Sequence, residues 1–236
     1  MNLSIVIPAY NEERYISACL ESIVQNGGDM AEIIVVDNNS TDTTAEVARQ
    51  FPNVRVVREL VKGTSSARQR GFVESTGDII AFVDADTRMP EGWVAKVCAA
   101  FEKDPKLVSI SGPYIYDELS VLTNFLFRVL WIWPSVPVYW CTGYMIWGGN
   151  FALRREALAA IGGFNTNIVF YGDEVDLGKR LSKVGKVRFN LSLYMYSSPR
   201  RLLKEGILAT CTRYGVNMFS QILLQKTITH GYTEIR

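Results

Sequence analysis

Apolar residues in the first hundred positions fall into two alternating patterns. Short, nearly continuous apolar runs occur at Leu3-Ser4-Ile5-Val6-Ile7-Pro8, at Glu32-Ile33-Ile34-Val35-Val36-Asp37, over 54–57 and over 78–83. Their length and β-branched content predict strands buried on both faces. Between them apolar residues recur at helical spacing: Ile16, Cys19, Leu20, Ile23 and Val24 within 13–25, then Ala45, Val47 and Ala48 within 41–50. A third helix is predicted over 65–74. Buried strands alternating with amphipathic helices predict an α/β fold with a mostly parallel sheet covered by helices, and right-handed crossovers restrict its topology.

In open sheets of this kind, ligands bind beyond the carboxyl ends of the strands, and polar clusters fall there. Pro8-Ala9-Tyr10-Asn11-Glu12 follows the first strand, Asp37-Asn38-Asn39-Ser40-Thr41-Asp42 the second, and Asp84-Ala85-Asp86 the fourth. The second half loses the regular alternation. Gly148-Gly149-Asn150-Phe151-Ala152-Leu153-Arg154-Arg155 reads as a turn, a short strand and a helix start. Residues 173–184 read as a helix with Leu177, Leu181 and Val184 on one face, and a basic helical tail follows Ser197 with Arg200, Arg201 and Lys204. The stretch 119–147 is rich in Leu, Phe, Trp and Tyr but is interrupted by Arg128, Pro134 and Pro137. A spanning helix needs about 20 consecutive apolar residues, so this stretch is expected either to lie in a membrane interface or to pack internally.

Composition narrows the picture. A net charge of +1 gives no one-sided field of the kind a nucleic-acid partner requires. Cys19, Cys98, Cys141 and Cys211 form no CxxC pair, which disfavours a zinc or redox motif. Cys19 and Cys98 read as reduced core residues, in keeping with a cytoplasmic compartment. The N-terminus lacks the basic region and long apolar core of a signal peptide.

Asp84-Ala85-Asp86 carries the sharpest chemistry. Two carboxylates at the end of a buried strand suit magnesium or manganese, which take oxygen ligands and share them with substrate phosphates; an ordinary turn is the alternative. Asp37 is expected to face a base or ribose, with Ser40 or Thr41 capping the next helix. Gly63 and the start of the third helix offer an anion site, with Arg68 or Arg70 near it; a solvated helix face is the alternative. At Tyr171-Gly172-Asp173-Glu174-Val175-Asp176-Leu177, the acidic residues read either as a helix start, with Asp173 and Asp176 as a capping pair and Asp176 paired to Arg180, or as a general base. His230, the only histidine, is a solvated residue or a metal ligand.

These motifs, in this order from Ile5 to about Val187, resemble glycosyltransferase family 2, whose fold is GT-A; Ile161-Gly162-Gly163-Phe164 belongs to the same set. The resemblance implies that residues 1–112 form a nucleotide-sugar half and 113–236 an acceptor half of one domain. It implies that Pro8, Tyr10 and Glu12 line the nucleotide pocket, and that Asp37, with Asn39 beside it, contacts the base, usually uracil. Arg68 would lie near the nucleotide, Asp84 and Ala85 would meet the ribose or metal, and Asp86 would hold manganese or magnesium on the diphosphate. Gly149 and Asn150 would face the donor sugar and acceptor. Glu174 aligns with the catalytic carboxylate of an inverting transfer. The family usually has Glu then Asp there; this chain has Asp173 then Glu174, which leaves Asp173 as the other candidate. The Gln-X-X-Arg-Trp pattern of processive members is absent, so a single transfer is expected. The partners implied are a UDP-sugar donor and a carbohydrate or lipid-linked acceptor, with peripheral contact at the inner face of a membrane. A nucleotidyltransferase is disfavoured because the loop after the first strand is neither Gly-rich nor basic, and a dehydrogenase because no GxGxxG follows it. A non-catalytic sugar-nucleotide-binding scaffold is favoured only by the reversed acidic pair.

Overall fold

The structure, a computed structural model, describes residues 1–28, 32–168 and 172–224; Tyr171 and His230 lie outside the described residues. The first half runs β1 (Leu3–Ala9), α1 (Ile16–Asn26), β2 (Glu32–Asp37), α2 (Thr44–Ala48), β3 (Val54–Arg58), α3 (Thr64–Glu74), β4 (Ile79–Val83), β5 (Thr87–Arg88) and α4 (Trp93–Lys103). Then come β6 (Leu107–Ser111), β7 (Tyr114–Ile115), α5 (Val121–Phe127), a π-helical stretch (Arg128–Ile132) and α6 (Trp133–Thr142). The chain continues through β8 (Asn150–Arg154), α7 (Arg155–Ala160), α8 (Asp173–Leu181), β9 (Lys186–Phe189), β10 (Met195–Ser197), α9 (Arg200–Glu205) and α10 (Ile207–Leu224).

Seven strands form the main sheet in the order β3-β2-β1-β4-β8-β6-β9. All pairs are parallel except those made by β8, which runs antiparallel to both β4 and β6. Successive side chains of a strand point to opposite faces, and in β1 this sends Ile5 and Ile7 into one core and Val6 into the other. The first core is closed by Ile16, Leu20 and Ile23 of α1 and Trp93, Val97 and Phe101 of α4. The second is closed by Ala67 of α3, Leu158 of α7 and Leu177 and Leu181 of α8. Both faces are therefore dry, which explains the unbroken apolar runs; each fully buried Leu, Ile or Val contributes about 1.5–3 kcal/mol. β1 has β2 on one side and β4 on the other, so the chain reverses direction across the sheet there. Such a switch point leaves a crevice at the strands' carboxyl ends.

Several local expectations are corrected. The second helix spans Thr44–Ala48 rather than 41–50, because Asp42 Oδ1 accepts from the Thr44 N–H at 3.0 Å and sets the start there. Ser40 and Thr41 do not cap it: Ser40 Oγ accepts from Asn11 N, and the Thr41 N–H donates to Asn11 Oδ1. Asp173 and Asp176 form no capping pair; Gly172 precedes α8 with no side-chain cap bond. Asp176 does pair with Arg180, at 2.7 Å. Cys98 is half-buried rather than in the core, whereas Cys19 is buried, and all four thiols are free. The stretch 119–147 is not broken by its prolines: residues 121–142 form one continuous helical run. Pro134 and Pro137 both lie inside this run, and the π-helical register of Arg128–Ile132 immediately precedes them.

Candidate active site

The crevice at the carboxyl ends of β1 and β4 is a cavity of about 380 Å³. Pro8, Ala9, Tyr10 and Glu12 enter it after β1, Asp84, Ala85 and Asp86 after β4, Thr64 and Arg68 from the start of α3, and Asp173 and Glu174 from the start of α8. The Asp84 turn is fixed locally: the Thr87 N–H and Oγ1 both donate to the Asp84 carbonyl, at 3.1 and 2.7 Å. Tyr114 Oη donates to Asp84 Oδ2 at 3.2 Å and also contacts the Gly148 carbonyl.

Two guanidinium groups organise the acids. Arg68 is buried beside the Phe151 ring, its Nη1 2.7 Å from Asp173 Oδ2 and 3.4 Å from Glu174 Oε1, its Nη2 3.6 Å from Asp84 Oδ1. It thereby ties the metal-candidate turn to the base-candidate helix. Its Nε is buried with no hydrogen-bond partner among the described residues. Arg200, at the start of α9, makes a two-point contact with Glu12 at 2.6 and 2.7 Å and lies 3.0 Å from Asp86 Oδ2. Burial drives the Asp86 carboxyl up to about 7 against the opposing pull of Arg200. Burial, with the Asp173 charge beside it, also holds Glu174 well above the usual carboxylate range.

The cavity is lined by five carboxylates (Glu12, Asp84, Asp86, Asp173, Glu174) and three guanidiniums (Arg68, Arg200, Arg201), net minus two when all are ionised. With Asp86 and Glu174 protonated the lining is neutral and with both ionised it is net negative, so in neither state does it attract an anionic diphosphate without a cation. Asp84 and Asp86 supply hard oxygen donors on one short turn, and the raised Asp86 carboxyl is a group that a cation would bring back to its ionised form. No cluster of three or more acidic, His or Cys side chains forms a metal cage among the described residues. The donor set thus fits magnesium or manganese completed by substrate oxygens and water, the usual way these ions sit on phosphates.

Other expected residues lie apart from this wall. Asp37 is buried with Oδ1 accepting from the Ser40 N–H at 3.1 Å, and Asn38, not Asp37, lines the cavity. Asn38 holds the next loop, its Nδ2 donating to the Glu59 and Val61 carbonyls and its Oδ1 accepting from Gly63 N. Asn39 is exposed, with φ of 64° and Arg58 on its Oδ1. Asn150 is not on the cavity wall: it is fully buried, donating to the Gly112, Pro113 and Leu193 carbonyls and accepting from Trp93 Nε1. Gly149 works by what it lacks, since a Cβ there would stand 2.0 Å from the Asp84 carboxyl carbon. Arg70 is exposed and pairs with Glu74. Sequence reasoning missed Asn38, Tyr114 and the site role of Arg200. For Arg200 the Arg-Arg pair after β10 was visible, but its partner Glu12 is 188 residues away in sequence.

A family model described as "Glycosyl transferase family 2" matches residues 4–162. The probable glycosyltransferase YdaM of Bacillus subtilis (strain 168) is 30% identical over 204 residues, 79% of this chain and 48% of that protein. Mannosyltransferase PcManGT from Pyrobaculum calidifontis, solved in complex with GDP-Man and Mn2+, superposes with a TM-score of 0.72 at 21% identity, covering 96% of this chain and 65% of that one. Glucosyl-3-phosphoglycerate synthase from Mycobacterium tuberculosis, solved with Mn2+, UDP and phosphoglyceric acid, gives a TM-score of 0.61 at 24% identity over 93% of this chain and 78% of that one. At these identities the likeness to the solved structures is one of fold. The chain spans about half the length of the curated relatives it matches.

Proposed function

The chain belongs to glycosyltransferase family 2, and on that premise we propose that it transfers a sugar from a nucleoside-diphosphate donor, UDP favoured, to an acceptor hydroxyl with inversion at the anomeric carbon. Its fold is the GT-A arrangement of a mostly parallel sheet flanked by helices. The observation that carries the proposal is the meeting of Asp84, Asp86 and Glu174 on one cavity at the sheet's switch point. The complexes of PcManGT with GDP-Man and Mn2+, and of the mycobacterial synthase with UDP and Mn2+, support a metal and a nucleotide donor for this chain too.

Asp86 and Asp84 would hold manganese or magnesium, which when bound offsets the charge on the leaving diphosphate. Pro8, Tyr10, Glu12 and Asn38 form the wall where the nucleoside would lie. Glu174 takes the proton from the acceptor hydroxyl as that oxygen attacks the anomeric carbon from the face opposite the leaving diphosphate. Glu174 is preferred over Asp173 because its side chain is 26% exposed on the cavity wall, whereas that of Asp173 is 9% exposed and held by Arg68. The far wall, with Phe127, Trp131, Trp147 and Met218, is apolar and aromatic, and supports a lipid-linked or cell-surface glycan precursor as acceptor. The free thiols support a reducing compartment.

Calorimetric titration with UDP, with and without manganese, tests the site. Manganese-dependent UDP binding in the wild type, lost in Asp86→Ala, is the expected result. Binding that is equally strong in Asp86→Ala would remove the metal assignment; binding of GDP alone would move the donor to guanosine.

A further inference from the structure

The helical run of residues 121–142 is 22 residues long, and only 17% of its most apolar window is buried inside the protein. Its inner side is fixed to the domain: Phe127 and Ile132 pack with Trp147, Phe189 and Leu202, and Tyr139 Oη donates to the Val187 carbonyl at 3.4 Å. Its outer side exposes Val121, Leu122, Phe125, Leu126, Trp133 and Trp140, the last 75% exposed. α10 lies alongside and adds Leu208, Val216 and Phe219. Between the two runs is an apolar groove of about 270 Å³, lined from one side by Leu130 and Pro134 and from the other by Leu208 and Phe219. A contiguous apolar face of this extent marks an interaction surface rather than ordinary solvent-facing structure.

The acids beside this face are paired: Asp117 and Glu118, just before the run, lie 2.6 and 3.9 Å from Arg88 Nη2. Arg128 is the only charged residue in 119–147 and is exposed. From 200 to 224, Arg200 is taken by Glu12 and Asp86, and Arg201 and Arg213 by the one acid, Glu205, which leaves the exposed Lys204 and Arg128 as the cations of this border. Apolar side chains with exposed tryptophans, flanked by the exposed cations Arg128 and Lys204 and by acids that are paired, complement an anionic lipid surface. The packing of Phe127, Ile132 and Tyr139 against the domain places the run in the plane of such a surface rather than across it. Trp131, Val138 and Met218 line both the groove and the active-site cavity.

We propose that the outer face of the 121–142 run, together with α10, is a membrane-docking surface that rests on an anionic leaflet and brings the apolar wall of the active-site cavity beside the lipid. The docking does not depend on the glycosyltransfer reading, because it is measured without substrate. The test is flotation of the purified protein with phosphatidylcholine vesicles, with and without phosphatidylglycerol, on the wild type and on Phe125→Glu, Trp133→Glu and Leu208→Glu. These positions are 52%, 58% and 70% exposed, so the variants should keep the wild-type circular dichroism and melting temperature. Expected are co-flotation that grows with the anionic lipid and a roughly tenfold or greater fall in bound protein for each variant. Absence of flotation at every lipid composition overturns the proposal. So does a stable dimer in sedimentation that dissociates in the same variants, since a second copy would then be the occupant of this face.

Discussion

Asp173 Oδ2 receives Arg68 Nη1 at 2.7 Å, while the neighbouring Glu174 looks into the cavity from a position where burial and the Asp173 charge raise its carboxyl. A general base acts in its ionised form. The activity should therefore rise with pH, and the limb should lie above the usual carboxylate range because the Glu174 proton is harder to remove. Glu174→Gln is expected to lower kcat by about 10²- to 10⁴-fold, to leave UDP–manganese binding intact, and to erase that limb. Asp173→Asn should retain more activity than Glu174→Gln; the reverse order in a rate-against-pH comparison would move the base to Asp173. The Asp-X-Asp pair and the acidic helix start were legible as motifs in the sequence. Which of the two adjacent acids is the more exposed on the cavity wall was not, because Asp173 is the one held more closely by Arg68, which lies more than a hundred residues away.

At the scale of elements, the site depends on how closely β8 and the glycines before it approach β4. The Gly149 carbonyl accepts from Asp84 N at 3.2 Å, and the residue has a φ of 74°. Gly149→Ala meets two penalties: the left-handed conformation, at about 1–2 kcal/mol, and a collision with the Asp84 carboxylate. Gly143 has nearly the same φ, 75°, with nothing within 4 Å of an added Cβ. Gly143→Ala should therefore lower the melting temperature modestly and keep UDP–manganese binding, whereas Gly149→Ala should lose that binding as well. Calorimetry beside thermal unfolding separates the two. The alternation of buried strands and amphipathic helices predicted the first four strands almost to the residue, since continuous apolar runs arise wherever a strand is covered on both faces. Helix starts were less legible: α2 is set by an Asp42 side chain acting two residues ahead, and the 121–142 run continues through prolines that local rules read as breaks.

At the scale of the whole molecule, the site costs stability. Asp86 has its carboxyl raised to about 7, above its ordinary unfolded value near 3.9. Between these values the native state binds more protons than the unfolded state. The contribution is thus fully present below about pH 4 and lost as pH rises through 7. The metal-free protein should become less stable across that window, by on the order of 2–4 kcal/mol. Asp86→Asn should flatten the dependence and raise the melting temperature at pH 8, as followed by thermal unfolding in a chelator; an unchanged slope would mean that Arg200 already compensates the charge. By itself the sequence determined the sheet's strands, the placing of polar clusters at their carboxyl ends and the family, because each is written in local periodicity and short motifs. Only the tertiary structure decided that Asn38 rather than Asp37 lines the cavity, that Asn150 is structural, that Arg200 closes on Glu12 and Asp86, and that the 121–142 run presents its apolar side outward. Those outcomes depend on contacts between segments far apart in the chain, and no local pattern of side chains specifies which distant partner will arrive.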